Sequence, residues 1–114
     1  MSDTDATYRF RCPWLRGDVE LTVERERHIQ DRHPDLLPAH RHKLAEVVVD
    51  PDVIRRSARV AAAHLFSRWY TDLRQGRHIV VVVLSEQSCP VRHWIVTAYT
   101  TRSLTAGEVE WHRS

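Results

Sequence analysis

Residues 79–84 read IVVVVL and form the longest apolar run of the chain. β-Branched side chains are stiff at χ1 and pack well on a pleated sheet, so this run favours a strand over a helix. With no polar residue on either face, the run is typical of a strand that is buried on both sides. We therefore predict a central sheet strand over residues 78–84. The run is far too short to cross a bilayer as a helix.

Strands are predicted on both sides of this central run. Residues 65–71 (LFSRWYT) are rich in aromatic and β-branched side chains, and the turn residues 73–76 (LRQG) separate them from the central strand. Residues 93–101 (HWIVTAYTT) and the short 108–111 (EVEW) follow the run. These four segments predict an antiparallel meander of about four strands. Weaker strand candidates are 8–12, 19–21 and 53–54.

Two helices are predicted before this meander. Thr22 is a favourable N-cap for a helix over residues 23–33, and Pro34 ends that helix. A second helix is expected to begin near Pro38 and to stop at residues 50–52 (DPD). The predicted fold class is therefore α+β, with two N-terminal helices packed on one face of a twisted antiparallel sheet of about four strands.

Length and composition indicate one domain over residues 1–114, with residues 1–7 as a flexible tail. The chain has 114 residues, of which 42% are hydrophobic and 28% charged, so it is neither disordered nor membrane-embedded. Its acidic, polar start is unlike a signal peptide. We expect a cytoplasmic protein, or a domain delivered by a route that the sequence does not show.

Positive charge is concentrated in the middle of the chain. The formal net charge is +2, yet residues 55–77 contain six arginines against one acid, Asp72. The segment is either a solvated surface or a phosphate-binding face, for which the arginine fork is well shaped. Cys12 and Cys89 lack metal or disulfide spacing, and the pair His40 and His42 has no cysteine or carboxylate cluster to complete a metal set. No metal or cofactor is predicted.

Polar groups of the strands and of the first helix are the candidate site residues. We place five of them on one open sheet face: Arg68, Tyr70, Thr97, Tyr99 and Thr101. They are alternatively ordinary exposed strand residues, because threonine and tyrosine favour strands whether or not they have a function. His28 lies on one helix face with Arg25 and Arg32, and it is either a proton-transfer group or an ordinary surface histidine. His33 fits a favourable interaction with the helix dipole at the C-terminus of this helix as well as it fits a functional role.

Three segments together resemble a known family. Residues 21–35 (LTVERERHIQDRHPD), 95–102 (IVTAYTTR) and 107–111 (GEVEW) are similar to the phage-associated nucleases of the barnase–EndoU–colicin–RelE superfamily, known as the BECR fold. The resemblance extends from about residue 19 to residue 111. Such domains are common in bacterial toxins and phage-encoded proteins. The resemblance implies a helical N-terminal half on a twisted four-stranded antiparallel sheet, with a ribonuclease site made of a helix histidine and of basic and hydroxyl residues on the strands.

The resemblance implies a metal-independent endoribonuclease of toxin type. RNA, for example tRNA, would be the substrate, and an antitoxin or immunity protein a partner. The implied catalytic residues are His28, Arg68, Thr97, Tyr99 and Thr101; the implied substrate-binding residues are Arg25, Arg32, His33 and Tyr70. The alternative function is a non-catalytic RNA- or protein-binding module on the same fold. A third and weaker one is a metal-binding domain that uses His40 and His42.

Overall fold

The computed structural model describes residues 7–105 and 107–113. Seven strands and two helices follow one another in these residues. In chain order they are β1 (Thr7–Cys12), β2 (Gly17–Thr22), α1 (Val23–Arg32), α2 (Arg41–Val49), β3 (Val53–Arg56), β4 (Ala63–Tyr70), β5 (Arg77–Glu86), β6 (Arg92–Thr101) and β7 (Glu108–His112). The tail predicted for residues 1–7 lies outside the described residues, apart from Thr7, which already belongs to β1.

All seven strands form one mixed sheet in the order β1-β2-β6-β5-β4-β3-β7. Neighbouring strands are antiparallel, except that β2 and β6 are parallel, with Val19 opposite His93. The apolar run lies in β5, which pairs along its length with β4 and β6. Its central position agrees with the prediction, and Ile79, Val81 and Val83 are fully buried.

The predicted fold class is wrong in two respects. The sheet is mixed and has seven strands instead of about four, and the helices are not N-terminal, because β1 and β2 precede them. The weak strand candidates at 8–12, 19–21 and 53–54 are the omitted strands β1, β2 and β3. They are short, and each is held by partners that the local sequence does not indicate; β2, for example, is parallel to a strand about 70 residues away.

Both helices pack on the same side of the sheet. Thr22 caps α1 as predicted, since its Oγ1 accepts a hydrogen bond of 3.1 Å from the Arg25 backbone N–H. Ile29 of α1 and Leu44 of α2 are fully buried in one core cluster with Phe66 of β4. We call this side of the sheet the helix-covered face. The alternate residues of the central strands point away from the helices, onto what we call the helix-free face.

The second helix begins at Arg41, three residues later than expected. The chain from His33 to His40 makes turns instead, held by hydrogen bonds from the Leu36 N–H to the His33 carbonyl and from the His40 N–H to the Leu36 carbonyl. Leu36 and Leu37 are fully buried there. Burial of these two leucines therefore anchors a turn, where the sequence pattern favoured the start of a helix.

Candidate functional site

Arg68 and Tyr70 lie on the helix-covered face, contrary to the prediction that they share a face with the hydroxyl residues of β6. The Tyr70 hydroxyl donates to the Glu46 carboxylate at 2.7 Å, and Arg68 donates to the carbonyl and carboxylate of Asp50 at 2.6 and 2.9 Å. Burial, followed by the bond to Glu46, raises the pKa of Tyr70. Tyr70 therefore connects β4 to α2, and Arg68 connects β4 to Asp50, the residue after α2.

The helix residues of the predicted site lie elsewhere. His28 and Arg32 are exposed on the outer surface of α1, and Arg25 donates to the Val96 carbonyl at 3.4 Å. His33 is the C-cap of α1, with its N–H bonded to the Ile29 carbonyl at 2.7 Å. His28 belongs to α1, which packs on the helix-covered face, whereas Thr97, Tyr99 and Thr101 belong to the opposite face of the sheet. The residues that the sequence grouped as one site are therefore not brought together.

Thr97, Tyr99 and Thr101 do line the helix-free face. The register of the central strands places them beside residues of β5 and β4 in three successive rows. Thr97 is level with Val82 and Leu65, Tyr99 with Val80 and Ser67, and Thr101 with His78 and Trp69. Arg55 of β3 is level with Leu65 and extends this face by one more strand. Arg55, Trp69 and His78 thus join the hydroxyl residues that the sequence had identified.

A short crossover segment, residues 102–105, covers part of this face. The chain must pass β5, β4 and β3 between the end of β6 and the start of β7. Thr101 holds the start of the segment, because its hydroxyl donates to the Ser103 carbonyl at 2.9 Å and accepts from the Ser103 N–H at 3.3 Å. The predicted catalytic hydroxyl of Thr101 is therefore engaged in positioning this segment.

A cavity of about 100 Å³ lies between the crossover segment and the sheet. This volume is below the roughly 300–1,000 Å³ of pockets for drug-sized ligands, so the cavity has room only for a small group. Polar groups from three strands and the segment surround it. Its lining residues are Arg55, Leu65, Ser67, Val80, Tyr99, Thr101, Ser103, Leu104 and Thr105.

The charges on this face act on one another. Burial lowers the pKa of His78, and Arg55 lowers it further while Asp52 opposes the shift. Burial raises the pKa of Tyr99, and Arg55 opposes that shift. At neutral pH the imidazole is therefore unprotonated and the phenol protonated. His78 and Tyr99 are diagonal neighbours across β5 and β6, which places their Cβ atoms roughly 7–8 Å apart or slightly closer.

Sequence reasoning missed His78, Arg55 and Trp69 for identifiable reasons. His78 directly precedes the apolar run, so the sequence indicated a residue of the buried central strand and not a site residue. Strict alternation places it on the same face as Val80 and Val82. Arg55 is in a strand of four residues whose register comes from its partners. Polarity alone assigned Arg68 and Tyr70 to an open face, whereas both make hydrogen bonds beneath the helices.

A second pair of polar groups lies apart from this site. His93 is 8% exposed, and its Nδ1 is 2.7 Å from the Ser85 Oγ of the neighbouring strand. Burial lowers the pKa of His93, and the nearby His64 lowers it further. Among the described residues, no group of three or more histidine, cysteine, aspartate or glutamate side chains is arranged to hold a metal ion. His40 and His42 contact each other, with ring centroids 6.2 Å apart.

Comparisons with protein-family models, with curated proteins and with solved structures found no match to this chain. The resemblance to the nucleases of the BECR fold therefore stays a prediction from residues 21–35, 95–102 and 107–111. None of the helices in the described part of the chain has the length and apolar character needed to cross a membrane.

Proposed function

We propose that the helix-free face binds an RNA phosphodiester and cleaves it by attack of the substrate's own 2′-hydroxyl, with His78 in place of His28 as the proton acceptor. One observation carries this proposal: the strand register puts Arg55, Tyr99 and His78 on a single face, where Arg55 and Tyr99 line a small cavity. A cation, a base and an acid are the groups that this reaction needs around one phosphate.

Each group has a defined part in the proposed reaction. The 2′-oxygen forms a bond to phosphorus while its proton passes to the neutral imidazole of His78, and the bond from phosphorus to the 5′-oxygen breaks. Tyr99 gives its proton to the leaving 5′-oxygen, and Arg55 stabilises the charge on the phosphoryl oxygens. The products are a 2′,3′-cyclic phosphate and a 5′-hydroxyl. Proton exchange with water then restores His78 and Tyr99.

The test is incubation of the purified protein with tRNA and with total RNA in EDTA, followed by analysis of the RNA ends. We expect His78→Ala to reduce cleavage about 100-fold to 10,000-fold, the usual contribution of general acid–base catalysis. His28→Ala is the matched control, because His28 is an exposed histidine outside this face, and it should retain activity. DNA should resist cleavage. Loss of activity in His28→Ala with full activity in His78→Ala would refute this site.

The rate should also depend on pH in a defined way. His78 accepts a proton only when it is neutral, and burial lowers its pKa from the usual value of about 6.5. The rate should therefore fall on acidification with a midpoint below about pH 6.5. A midpoint above that value would contradict the assignment of His78 as the base.

The second candidate is a non-catalytic RNA-binding module on the same face. It is favoured by the positive charge of Arg55 and by the exposed ring of Trp69 beside His78. It predicts salt-dependent RNA binding without new RNA ends.

The ribonuclease proposal includes a toxin role, an antitoxin or immunity partner and a cytoplasmic location. They predict that expression is toxic, and that His78→Ala relieves the toxicity.

A further inference from the structure

A cavity of about 540 Å³ lies beside the turn that joins β1 and β2. This volume is within the roughly 300–1,000 Å³ of pockets for small molecules. Trp14 of the turn and His93 of β6 belong to its lining, together with Gly17, the first residue of β2. A turn and two neighbouring strands therefore bring an indole and an imidazole to the border of one space.

His93 is the buried polar group of this lining. Its side chain is 8% exposed, whereas the other polar side chains around the cavity are exposed. Its Nδ1 is 2.7 Å from the Ser85 Oγ. The opposite edge of the ring lies beside Gly17, where a Cβ would be 3.5 Å from Cδ2 and 3.7 Å from Nε2. In the described part of the chain no hydrogen bond involves Nε2, so this nitrogen is left for a group inside the cavity.

The charges around the cavity favour an uncharged ligand. Burial lowers the pKa of His93, and the nearby His64 lowers it further, so the imidazole is neutral at neutral pH. Arg16 and Asp18 border the cavity with opposite charges, which together favour neither an anion nor a cation. The Ser85 hydroxyl can donate to Nδ1 or accept from it, and Nε2 accordingly offers an N–H or a lone pair. Both forms fit a ligand with uncharged ring nitrogens.

Trp14 gives the cavity an aromatic wall that is fixed in advance. Its ring meets the rings of His64 and Phe66 edge to face, with centroids 5.0 and 6.1 Å apart. The side chain is half-buried and borders the cavity. A ring that is already held loses little conformational entropy when a ligand binds. It favours an aromatic ligand, because aromatic pairs gain energy beyond the burial of their apolar area.

We propose that this cavity binds an uncharged, nitrogen-containing aromatic ring of the size of a purine base, which packs on Trp14 and forms a hydrogen bond with Nε2 of His93. Ser85 is a positioning residue, because it holds the imidazole through Nδ1 from the neighbouring strand. Ser85 and His93 are partners that alternate with Val83, so they belong to the helix-covered side of the sheet. The cavity is therefore independent of the cleavage site proposed on the helix-free face.

Adenosine and guanosine are the probes, and calorimetry measures their binding. We expect one molecule of either nucleoside to bind per protein. His93→Phe keeps a flat ring but removes both nitrogens, and it should weaken binding about 3-fold to 10-fold, the usual contribution of one hydrogen bond. His28→Phe, at an exposed histidine, is the matched control and should bind like the wild type. Absence of binding of both nucleosides at roughly 1 mM, or equal losses in the two variants, would overturn the site.

Gly17→Val tests the same contact without a change to the histidine. The first added carbon is at an ordinary 3.5 Å from His93, so we expect the variant to fold, which circular dichroism checks. Its methyl groups occupy the space beside Nε2, and adenosine should bind about 10-fold to 100-fold more weakly. Full binding by the folded variant would refute the proposal. His78→Ala, on the helix-free face, should bind adenosine like the wild type.

Ser85→Ala tests the positioning role. Nitrogen NMR of the histidine side chains reports which ring nitrogen of His93 carries the proton. We expect Ser85→Ala to change this distribution and Ser85→Thr to restore it, while an unchanged distribution in Ser85→Ala would refute the role of Ser85. A short 2′-O-methyl oligoadenylate identifies the source of the ring. If it displaces adenosine, the site takes an unpaired base of an RNA strand; if it does not, the site takes a free nucleoside.

Discussion

Individual side chains on the two faces of β4 have different tasks. Arg68 bonds to Asp50, whose pKa is lowered by Arg113 first and by Arg68 second, while Trp69, one residue later, faces the other way and is exposed. A shift of one position in a strand moves a side chain to the opposite face. Polar character in the sequence was therefore a poor guide to which residues of this strand are available to a ligand.

Gly76 lies directly against the Trp69 ring. Its φ is +104°, and a Cβ would lie 2.5 Å from the indole. We expect Gly76→Ala to destabilise the protein by about 1–3 kcal/mol, because it adds backbone strain and displaces the ring. Urea unfolding measures the decrease in stability. Gly17→Ala is the control, since a Cβ there is at an ordinary 3.5 Å from His93; equal destabilisation in the two variants would contradict the explanation.

Among the elements, those with strong local signals were predicted well. The apolar run of β5, the N-cap of α1 and the aromatic pattern of β4 all indicated their own structure. The short strands β1, β2 and β3 gave weaker signals, because pairing partners and not local propensity hold them in the sheet. β7 was predicted as a strand, but it pairs with β3 and not with β6 as a meander would require. The faces of the site depend on register, which is a property of strand pairs.

The crossover segment is the element that Thr101 is expected to hold in place. Thr101→Val removes a hydroxyl that both donates to and accepts from Ser103, and we expect stability to decrease by about 0.5–1.5 kcal/mol per hydrogen bond. Hydrogen exchange at the Ser103 amide should become faster. Thr101→Ser keeps the hydroxyl and should restore protection. Unchanged exchange in Thr101→Val would show that the segment is held by other interactions.

At the scale of the whole molecule, the half-buried His78 and the buried His93 link stability to pH. Burial lowers the pKa values of both His78 and His93. The unfolded chain therefore takes up protons below about pH 6.5 more readily than the folded protein does. The contribution to stability is complete above that pH and is lost as pH falls towards the folded-state pKa values.

This linkage predicts that the free energy of unfolding decreases on acidification below about pH 6.5. The double variant His78→Asn/His93→Asn should show a weaker dependence in the same interval, as measured by urea unfolding at several pH values. His42→Asn, which replaces an exposed histidine, is the control and should follow the wild type. A wild-type curve that rises on acidification would contradict the pKa directions.

The strand order also determines when each strand edge finds its partner during synthesis. β3 pairs with β4 on one side and with β7 on the other, yet about 50 residues separate β3 from β7 along the chain. The ribosome makes the chain from the N-terminus to the C-terminus, so the outer edge of β3 stays unpaired until the residues up to β7 have been made. Open backbone donors and acceptors on such an edge attract other strands. The nascent chain is thus open to wrong pairing at the outer edge of β3 until β7 has been made.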